Sequence, residues 1–160
     1  MTSKFDGDEA RIEDFRLPAS TGHTLSFESF RGKVPLVIVF IPDADTPQST
    51  SFLEELDRRH ADFGSERAQV LTVTKATARR VRELADERGL SIPILADASG
   101  AMARQFGVAD TGVSALVADK RGRIEQRWDP LLDDATDPAQ AIDTLLHTVK
   151  TMADDGAEPA

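Results

Sequence analysis

The sequence predicts a single α/β domain with a mixed central sheet and helices on both of its faces. Strand-like and helix-like segments alternate through the middle of the chain, and a hairpin and a closing amphipathic helix follow them. Residues 36–41 form a continuous apolar run rich in β-branched side chains, which is typical of a strand buried on both faces. With 160 residues the chain is long enough to bury a substantial core.

The individual elements follow from hydrophobic periodicity and from residues that begin or end helices and strands. In chain order we expect an extended piece at 15–18, a turn at 20–23, a strand at 24–27, a helical turn at 28–31, a strand at 36–41, a helix at 46–63, a strand at 69–74, a helix at 77–88, a short strand at 92–95, a helix from 97 or 99 to 106, a strand at 113–118, a turn at 119–122, a strand at 123–128 and a helix at 137–152. The domain then spans 11–152, after a loose lead-in at 1–10 and before a disordered tail at 153–160.

Local signals set the ends of these elements. Thr46 is a good N-cap, and Pro47 suits the first position of a helix. Pro93 marks the strand at 92–95 as an edge strand, because proline has no N–H to donate to a ladder. Glycines that follow the last periodic residue are expected to end three helices: Gly64, Gly89 and Gly107.

Composition and charge exclude several classes of function. The absence of cysteine excludes disulfides, zinc–thiolate sites, iron–sulfur clusters and every thiol mechanism. A formal net charge of -9 without any run of Lys or Arg argues against a nucleic-acid partner. The longest apolar run, 34–41, is too short to cross a membrane, and the polar N-terminus lacks an apolar signal-like segment. We therefore expect a cytoplasmic protein with no membrane partner.

Three stretches of the chain, within residues 14–33, 42–50 and 116–124, together resemble the peroxiredoxins, the alkyl hydroperoxide reductase / thiol-specific antioxidant family. The first stretch resembles the opening hairpin of the family, and the last resembles its late hairpin. In the middle stretch Pro42 and Thr46 stand at the spacing of the family's active-site loop, Pro-x-x-x-Thr-x-x-Cys. The resemblance covers most of the chain and implies a thioredoxin-like fold, thiol peroxidase chemistry and a homodimer.

The chain departs from the family pattern at two positions that the chemistry needs. Ser49 stands where the resemblance places the peroxide-attacking cysteine, and Val113 stands where it places an arginine. A serine hydroxyl is far less acidic than a thiol, and its oxygen cannot reach a sulfenic state. By resemblance, the site residues are Pro42, Thr46 and Ser49. Three other arginines are candidates to replace the missing one: Arg104, Arg123 and Arg127.

Three hypotheses for the function remain open. The first is a natural peroxiredoxin-like protein without peroxidase activity that acts by binding. The second is a thiol peroxidase seen as a Cys-to-Ser variant at Ser49, and the third is a different enzyme with a bound cofactor, which no motif supports. In the first, Pro42, Thr46 and Ser49 would line a small polar pocket for a water, a peroxide-sized molecule or an anion. The structural alternative is that Thr46 merely caps a helix.

Other polar residues are interpreted as structural, so neither a metal nor a resident cofactor is expected. No third ligand follows the acidic pair 43 and 45 at calcium-loop spacing. No histidine is an obvious base for Ser49, which disfavours a serine hydrolase. The aspartates considered are Asp43, Asp45, Asp97, Asp110 and Asp119, and the histidines are His23, His60 and His147. The homodimer implied by the resemblance would form through the edge at 123–128 or around the active-site loop.

Overall fold

The structure, a computed structural model, describes residues 11–12, 14–108, 112–132 and 137–156. The elements follow one another largely as predicted. They are β1 (Arg16–Pro18), β2 (Thr24–Ser26), a short 3-10 helix (Phe27–Ser29), β3 (Leu36–Phe40), α1 (Pro47–Arg58), α2 (His60–Ser65), β4 (Gln69–Thr74), α3 (Ala78–Arg88), β5 (Ile94–Ala96), α4 (Ala101–Phe106), β6 (Val113–Ala118), β7 (Ile124–Leu132) and α5 (Pro138–Gly156).

Five strands form one mixed sheet in the order β5-β4-β3-β6-β7. Strands β3, β4 and β5 run parallel, whereas β6 and β7 run antiparallel to their neighbours. Strands β1 and β2 form a separate antiparallel hairpin. The predicted mixed sheet is thus confirmed, and β5 lies at an edge as Pro93 indicated.

Each face of the sheet is covered by its own apolar cluster, because successive side chains of a strand point to opposite faces. Val37 and Val39 of β3 belong to the cluster that includes residues of α1, α2, α3 and α5. Ile38 and Phe40 belong to the other cluster, which the N-terminal segment and α4 complete. All five residues of β3 are buried, as the continuous apolar run predicts.

The parallel strands end at one edge of the sheet, and β6 begins at that same edge. The register pairs Phe40 at the end of β3 with Ser114 in β6. Val113, the first residue of β6, therefore lies level with Ile41, just before the loop that leads into α1. The loop into α1 and the start of β6 therefore lie at the same edge of the sheet.

The helix predicted over 46–63 is divided in two at Arg59. The backbone of Arg59 departs from helical geometry, with φ -95° and ψ 5°. Its guanidinium donates to Asp62 at 2.8 Å and to Asp143 of α5 at 3.0 Å. These two carboxylates raise the pKa of Arg59, Asp62 having the larger effect. The break thus coincides with the point where the α1–α2 pair is joined to α5.

Gly64 does not end the second of these helices, contrary to the prediction. It lies inside α2, which continues to Ser65. The chain turns instead at Arg67, which adopts a left-handed conformation with φ 62°. The N–H of Ala68 then donates to the carbonyl of Phe63 at 3.0 Å, so a non-glycine residue makes the helix-ending turn.

The start of α4 is organised by Asp97, one of the two predicted capping residues, although the N-cap itself is Gly100. The Asp97 carboxylate accepts hydrogen bonds from the N–H groups of Met102 at 3.0 Å and Ala103 at 3.1 Å. The Ser99 hydroxyl accepts a longer one, 3.3 Å, from the N–H of Ala101, the residue before Met102. Gly100 adopts φ 76°, a conformation that favours glycine.

Several other boundaries also differ from the prediction. Strand β5 occupies Ile94–Ala96, and β7 continues through Pro130 to Leu132, which an edge strand permits. Helix α5 continues to Gly156 rather than 152, since the sequence has no helix-breaking residue before that glycine. The disordered tail predicted at 153–160 is wrong for residues 153–156, which belong to α5, and residues 157–160 lie outside the described residues, as does the predicted lead-in at 1–10. Among the described helices, none is long and apolar enough to cross a membrane.

Candidate functional site at the start of helix α1

The loop between β3 and α1 is held at both of its ends. On the strand side, the Pro42 carbonyl accepts a hydrogen bond from the N–H of Lys75 at 3.3 Å. On the helix side, the Asp45 N–H donates to the Asp43 carboxylate at 3.0 Å, and the Asp45 carboxylate accepts from Arg80 of α3 at 2.7 Å. Asp45 raises the pKa of Arg80. The two aspartates therefore stabilise the loop that carries the predicted site.

Thr46 and Ser49 lie together at the first turn of α1. Thr46 is the N-cap and Pro47 follows at the first helical position, as the sequence predicts. The Thr46 Oγ1 accepts from the Ser49 N–H at 3.1 Å and donates to the Ser49 Oγ at 2.9 Å. Spacing of three residues brings an N-cap side chain and the third helical residue into contact, so a local pattern fixes this pair.

The Thr46–Ser49 pair is well shielded from solvent. Ser49 is only 6% exposed, and Thr46 is half-buried. Within the described part of the chain, every buried side-chain nitrogen and oxygen has a hydrogen-bond partner. No orphaned buried group therefore points to a ligand at this helix turn. The small peroxide-like or anionic ligand predicted here stays a prediction.

The buried cluster on the face of the sheet that α1 covers is apolar. Ala44, Phe52 and Val113 belong to one buried cluster, in which Val113 is 1% exposed. A valine at that position supplies neither a positive charge nor a hydrogen-bond donor. The sheet register places it at the edge where α1 begins.

The three arginines considered as replacements for the missing one do not bond to Ser49. Arg104 donates to the Ser99 carbonyl at 2.9 Å, and Arg127 donates to the Gly107 carbonyl at 2.7 Å. Arg123 is exposed at the β6–β7 turn. Over 11–12, 14–108, 112–132 and 137–156, no guanidinium forms a hydrogen bond with the Ser49 hydroxyl. The site thus lacks an arginine partner within the residues described.

The remaining polar candidates have structural surroundings. His23 and His147 are exposed, and His60 begins α2. Asp119 accepts backbone hydrogen bonds in the β6–β7 turn, and Asp110 lies outside the described residues. No group of three metal-ligating side chains occurs in the part of the chain that the structure describes.

Replacing Thr46 by alanine is expected to lower the free energy of unfolding by about 1–2 kcal/mol, since an N-cap bond and a buried hydroxyl partner are both lost. Urea denaturation of Thr46→Ala measures this. The matched control is Thr77→Ala: Thr77 caps α3 by accepting from the Arg80 N–H at 3.1 Å. It should cost about 1 kcal/mol. Equal losses in the two variants would show that the Thr46–Ser49 hydroxyl bond contributes nothing.

Sequence reasoning did not find a cleft beside this loop, on the opposite face of the sheet. Pro42 lines the cleft together with Lys75 and Arg104. These two cations are far apart in the chain, and only the parallel order of β4 and β5 brings them to the same edge. The available signal was weak: Lys75 directly follows β4, and Arg104 lies in α4, the helix that follows β5.

A five-stranded mixed sheet with helices on both faces and a separate N-terminal hairpin is the thioredoxin-like fold of the peroxiredoxins. Peroxidoxin BcpB from Mycobacterium tuberculosis superposes with a TM-score of 0.78 at 23% identity, over 90% of this chain and 96% of that one. A Cys-to-Ser mutant of Xanthomonas campestris peroxiredoxin Q superposes with a TM-score of 0.76 at 22% identity, over 87% and 91%.

Sequence similarity supports the same class. The sequence profile of the AhpC/TSA family matches residues 7–127. A Mycobacterium tuberculosis (strain H37Rv) relative named as a peroxiredoxin is 30% identical over 110 residues, which are 69% of this chain and 71% of the relative. The chain belongs to the AhpC/TSA family, the family of the peroxiredoxins, and it contains no cysteine.

Proposed function

We propose that this chain is a peroxiredoxin-family protein with Ser49 at the position of the peroxidatic cysteine, and that it acts by binding rather than as a thiol peroxidase. The observation that carries the proposal is the complete absence of cysteine from a chain of this family. Ser49 supports the assignment through its place three residues after the N-cap Thr46, at the buried first turn of α1.

The chemistry of peroxide reduction requires sulfur at this place. A thiolate attacks one oxygen of the O–O bond, the sulfur is oxidised to sulfenic acid, and the other oxygen leaves as an alcohol or water after gaining a proton. A serine hydroxyl cannot carry out this two-electron oxidation, because no sulfenic counterpart exists for oxygen. The chain therefore has no thiolate that can accept the peroxide oxygen in a peroxiredoxin cycle.

The surroundings of Ser49 support a loss that extends beyond one atom. Lowering a nucleophile's pKa and stabilising a departing oxyanion both need a nearby positive charge or several donors. Val113 faces the core at the edge where such a cation would be required, and the Ser49 hydroxyl is engaged by Thr46. Val113 is apolar, and the Thr46 and Ser49 hydroxyls bond to each other. Both features favour a purely structural role for these residues at the start of α1 over a retained peroxidase site.

The variant Ser49→Cys tests the proposal. When it is mixed with hydrogen peroxide and sulfenic acid is followed by intact mass, we expect oxidation at about the rate of an ordinary thiol. The control is Ser51→Cys, an exposed position on the same helix without the Thr46 contact. Oxidation of Ser49→Cys far faster than of the control would overturn the proposal, and would favour a working peroxidase whose cysteine is replaced in this chain.

On the same family basis, we propose that the protein is a cytoplasmic homodimer. Strand β7 supports this, because it lies at the outer edge of the sheet and, among the described strands, pairs only with β6. An edge strand presents backbone groups that a second copy can pair with.

A further inference from the structure

A second polar site lies across the sheet from Ser49, at the edge where the parallel strands end. It is a cleft of about 80 Å³. One wall is apolar and is formed by Phe40, Ala103 and Val108, which belong to or pack against the cluster on that face of the sheet. Helix α1 with Thr46 and Ser49 packs on the opposite face. The cleft is therefore distinct from the Thr46–Ser49 pair.

Two cationic side chains converge over Gly100 in this cleft. A β-carbon at Gly100 would lie 3.4 Å from both the Lys75 Cε and the Arg104 Nη1. Arg104 is held in place by its bond to the Ser99 carbonyl at 2.9 Å. Both side chains therefore lie beside Gly100 and line the same cleft.

Two like charges held close together repel each other unless a negative group lies between them. In the described part of the chain, no carboxylate forms an ion pair with Lys75 or Arg104. Asp97 also lines the cleft and contributes one negative charge, but its two oxygens accept the N–H groups of Met102 and Ala103. The two cations therefore leave the charged lining of the cleft with an excess of positive charge. The protein has a net charge of -9, so two neighbouring cations without ion-pair partners among the described residues are a local exception. Such a pair of positive charges is suited to binding an anion.

The size and lining of the cleft restrict the class of anion. Sites for cofactors and drug-sized ligands occupy about 300–1,000 Å³, so this cleft has room for only a few non-hydrogen atoms. The cations lie beside an apolar wall, which suits a ligand with one charged end and a short hydrocarbon part. We propose that the cleft binds a short-chain monocarboxylate, with its carboxylate between Lys75 and Arg104 and its methylene groups against Phe40, Ala103 and Val108.

Isothermal titration of the unaltered chain with sodium propionate tests the proposal, and its outcome does not depend on the reactivity of Ser49→Cys. We expect saturable binding. Its affinity should fall about tenfold in Lys75→Gln and, separately, about tenfold in Arg104→Gln, because each variant loses a charged hydrogen-bond donor. Both side chains are exposed, so melting temperatures should change little. The control Lys150→Gln removes an exposed lysine of α5 and should bind propionate as the unaltered chain does.

A chain-length series decides between a carboxylate site and a general anion site. Affinity should rise from formate to propionate, since each added methylene covers apolar surface. Equal affinity across the series, or tighter binding of inorganic phosphate than of propionate, would overturn the monocarboxylate assignment. Unchanged propionate binding in Lys75→Gln and Arg104→Gln would overturn the site itself.

Discussion

Replacing Gly122 by alanine is expected to lower the free energy of unfolding by about 3 kcal/mol, through backbone strain and overpacking together. Gly122 has φ 88°, a conformation that L-residues rarely adopt. A β-carbon there would lie 2.6 Å from the Cζ of Phe27. The Phe27 ring cannot move aside easily, because it is 3% exposed and Arg31 lies 5.0 Å from the ring centre.

Urea denaturation of Gly122→Ala measures the effect, and Gly89→Ala is its matched control. Gly89 also has a positive φ, 63°, but a β-carbon there would meet nothing within 4 Å. The control should therefore lose only the strain contribution, about 1 kcal/mol. Trimming the ring in Gly122→Ala/Phe27→Leu should recover part of the difference. If Gly122→Ala and Gly89→Ala lose the same stability, the close approach to Phe27 has no energetic consequence.

Replacing Asp97 by alanine is also expected to lower the free energy of unfolding by about 3 kcal/mol. Asp97 is 3% exposed, and its carboxylate accepts two backbone N–H groups at the start of α4, from Met102 and Ala103. A hydrogen bond to a charged group contributes about 1.5–3 kcal/mol, and unpaired buried N–H groups add a desolvation cost. Asp97→Asn should lose less, because its amide oxygen can still accept one of the two bonds.

The control for Asp97 is Asp119→Ala. Asp119 also accepts two backbone N–H groups, from Arg121 at 2.9 Å and Arg123 at 3.0 Å, but it is half-buried in a turn. Water can replace those bonds, so the expected loss is about 1 kcal/mol. Hydrogen exchange adds a local measurement: the amides of Met102 and Ala103 should exchange faster in Asp97→Ala. Equal losses in the two alanine variants would show that burial does not strengthen the Asp97 cap.

Elements defined by local patterns could be predicted from the sequence. The apolar run predicted as a strand at 36–41 forms the buried central strand β3 over Leu36–Phe40, because an unbroken apolar run has no solvent-facing side. Helix α3 begins after Thr77 and ends at Gly89, which adopts the left-handed conformation that the glycine signal predicts. These elements are determined by residues that are close together in the chain, so tertiary contacts do not change them.

Features that depend on distant partners could not be predicted in this way. The helix break at Arg59 involves Asp143, which lies in the last helix of the chain. The extension of β7 to Leu132 depends on its pairing with Val113 across the sheet. In each case the partner becomes known only when the sheet order and helix packing are known.

The candidate site also combines features set by nearby residues with features set by distant ones. Thr46 and Ser49 are three residues apart at a helix start, so their contact follows from helix geometry. The approach of Lys75 to Arg104 requires both the order of β4 and β5 and the conformation of Gly100. Sequence reasoning thus placed Thr46 and Ser49 together at the helix start, but it did not predict the hydrogen bond between their hydroxyls and it missed the cationic cleft.

The ion pair between Asp45 and Arg80 makes the loop before α1 sensitive to ionic strength. Both side chains reach solvent, so dissolved salt screens their attraction over a distance of about 8–10 Å. Helix α1 itself is held by buried apolar side chains, Phe52, Leu53 and Leu56, which salt does not screen. Concentrated salt is therefore expected to weaken the connection between this loop and α3 while the packing of α1 is retained.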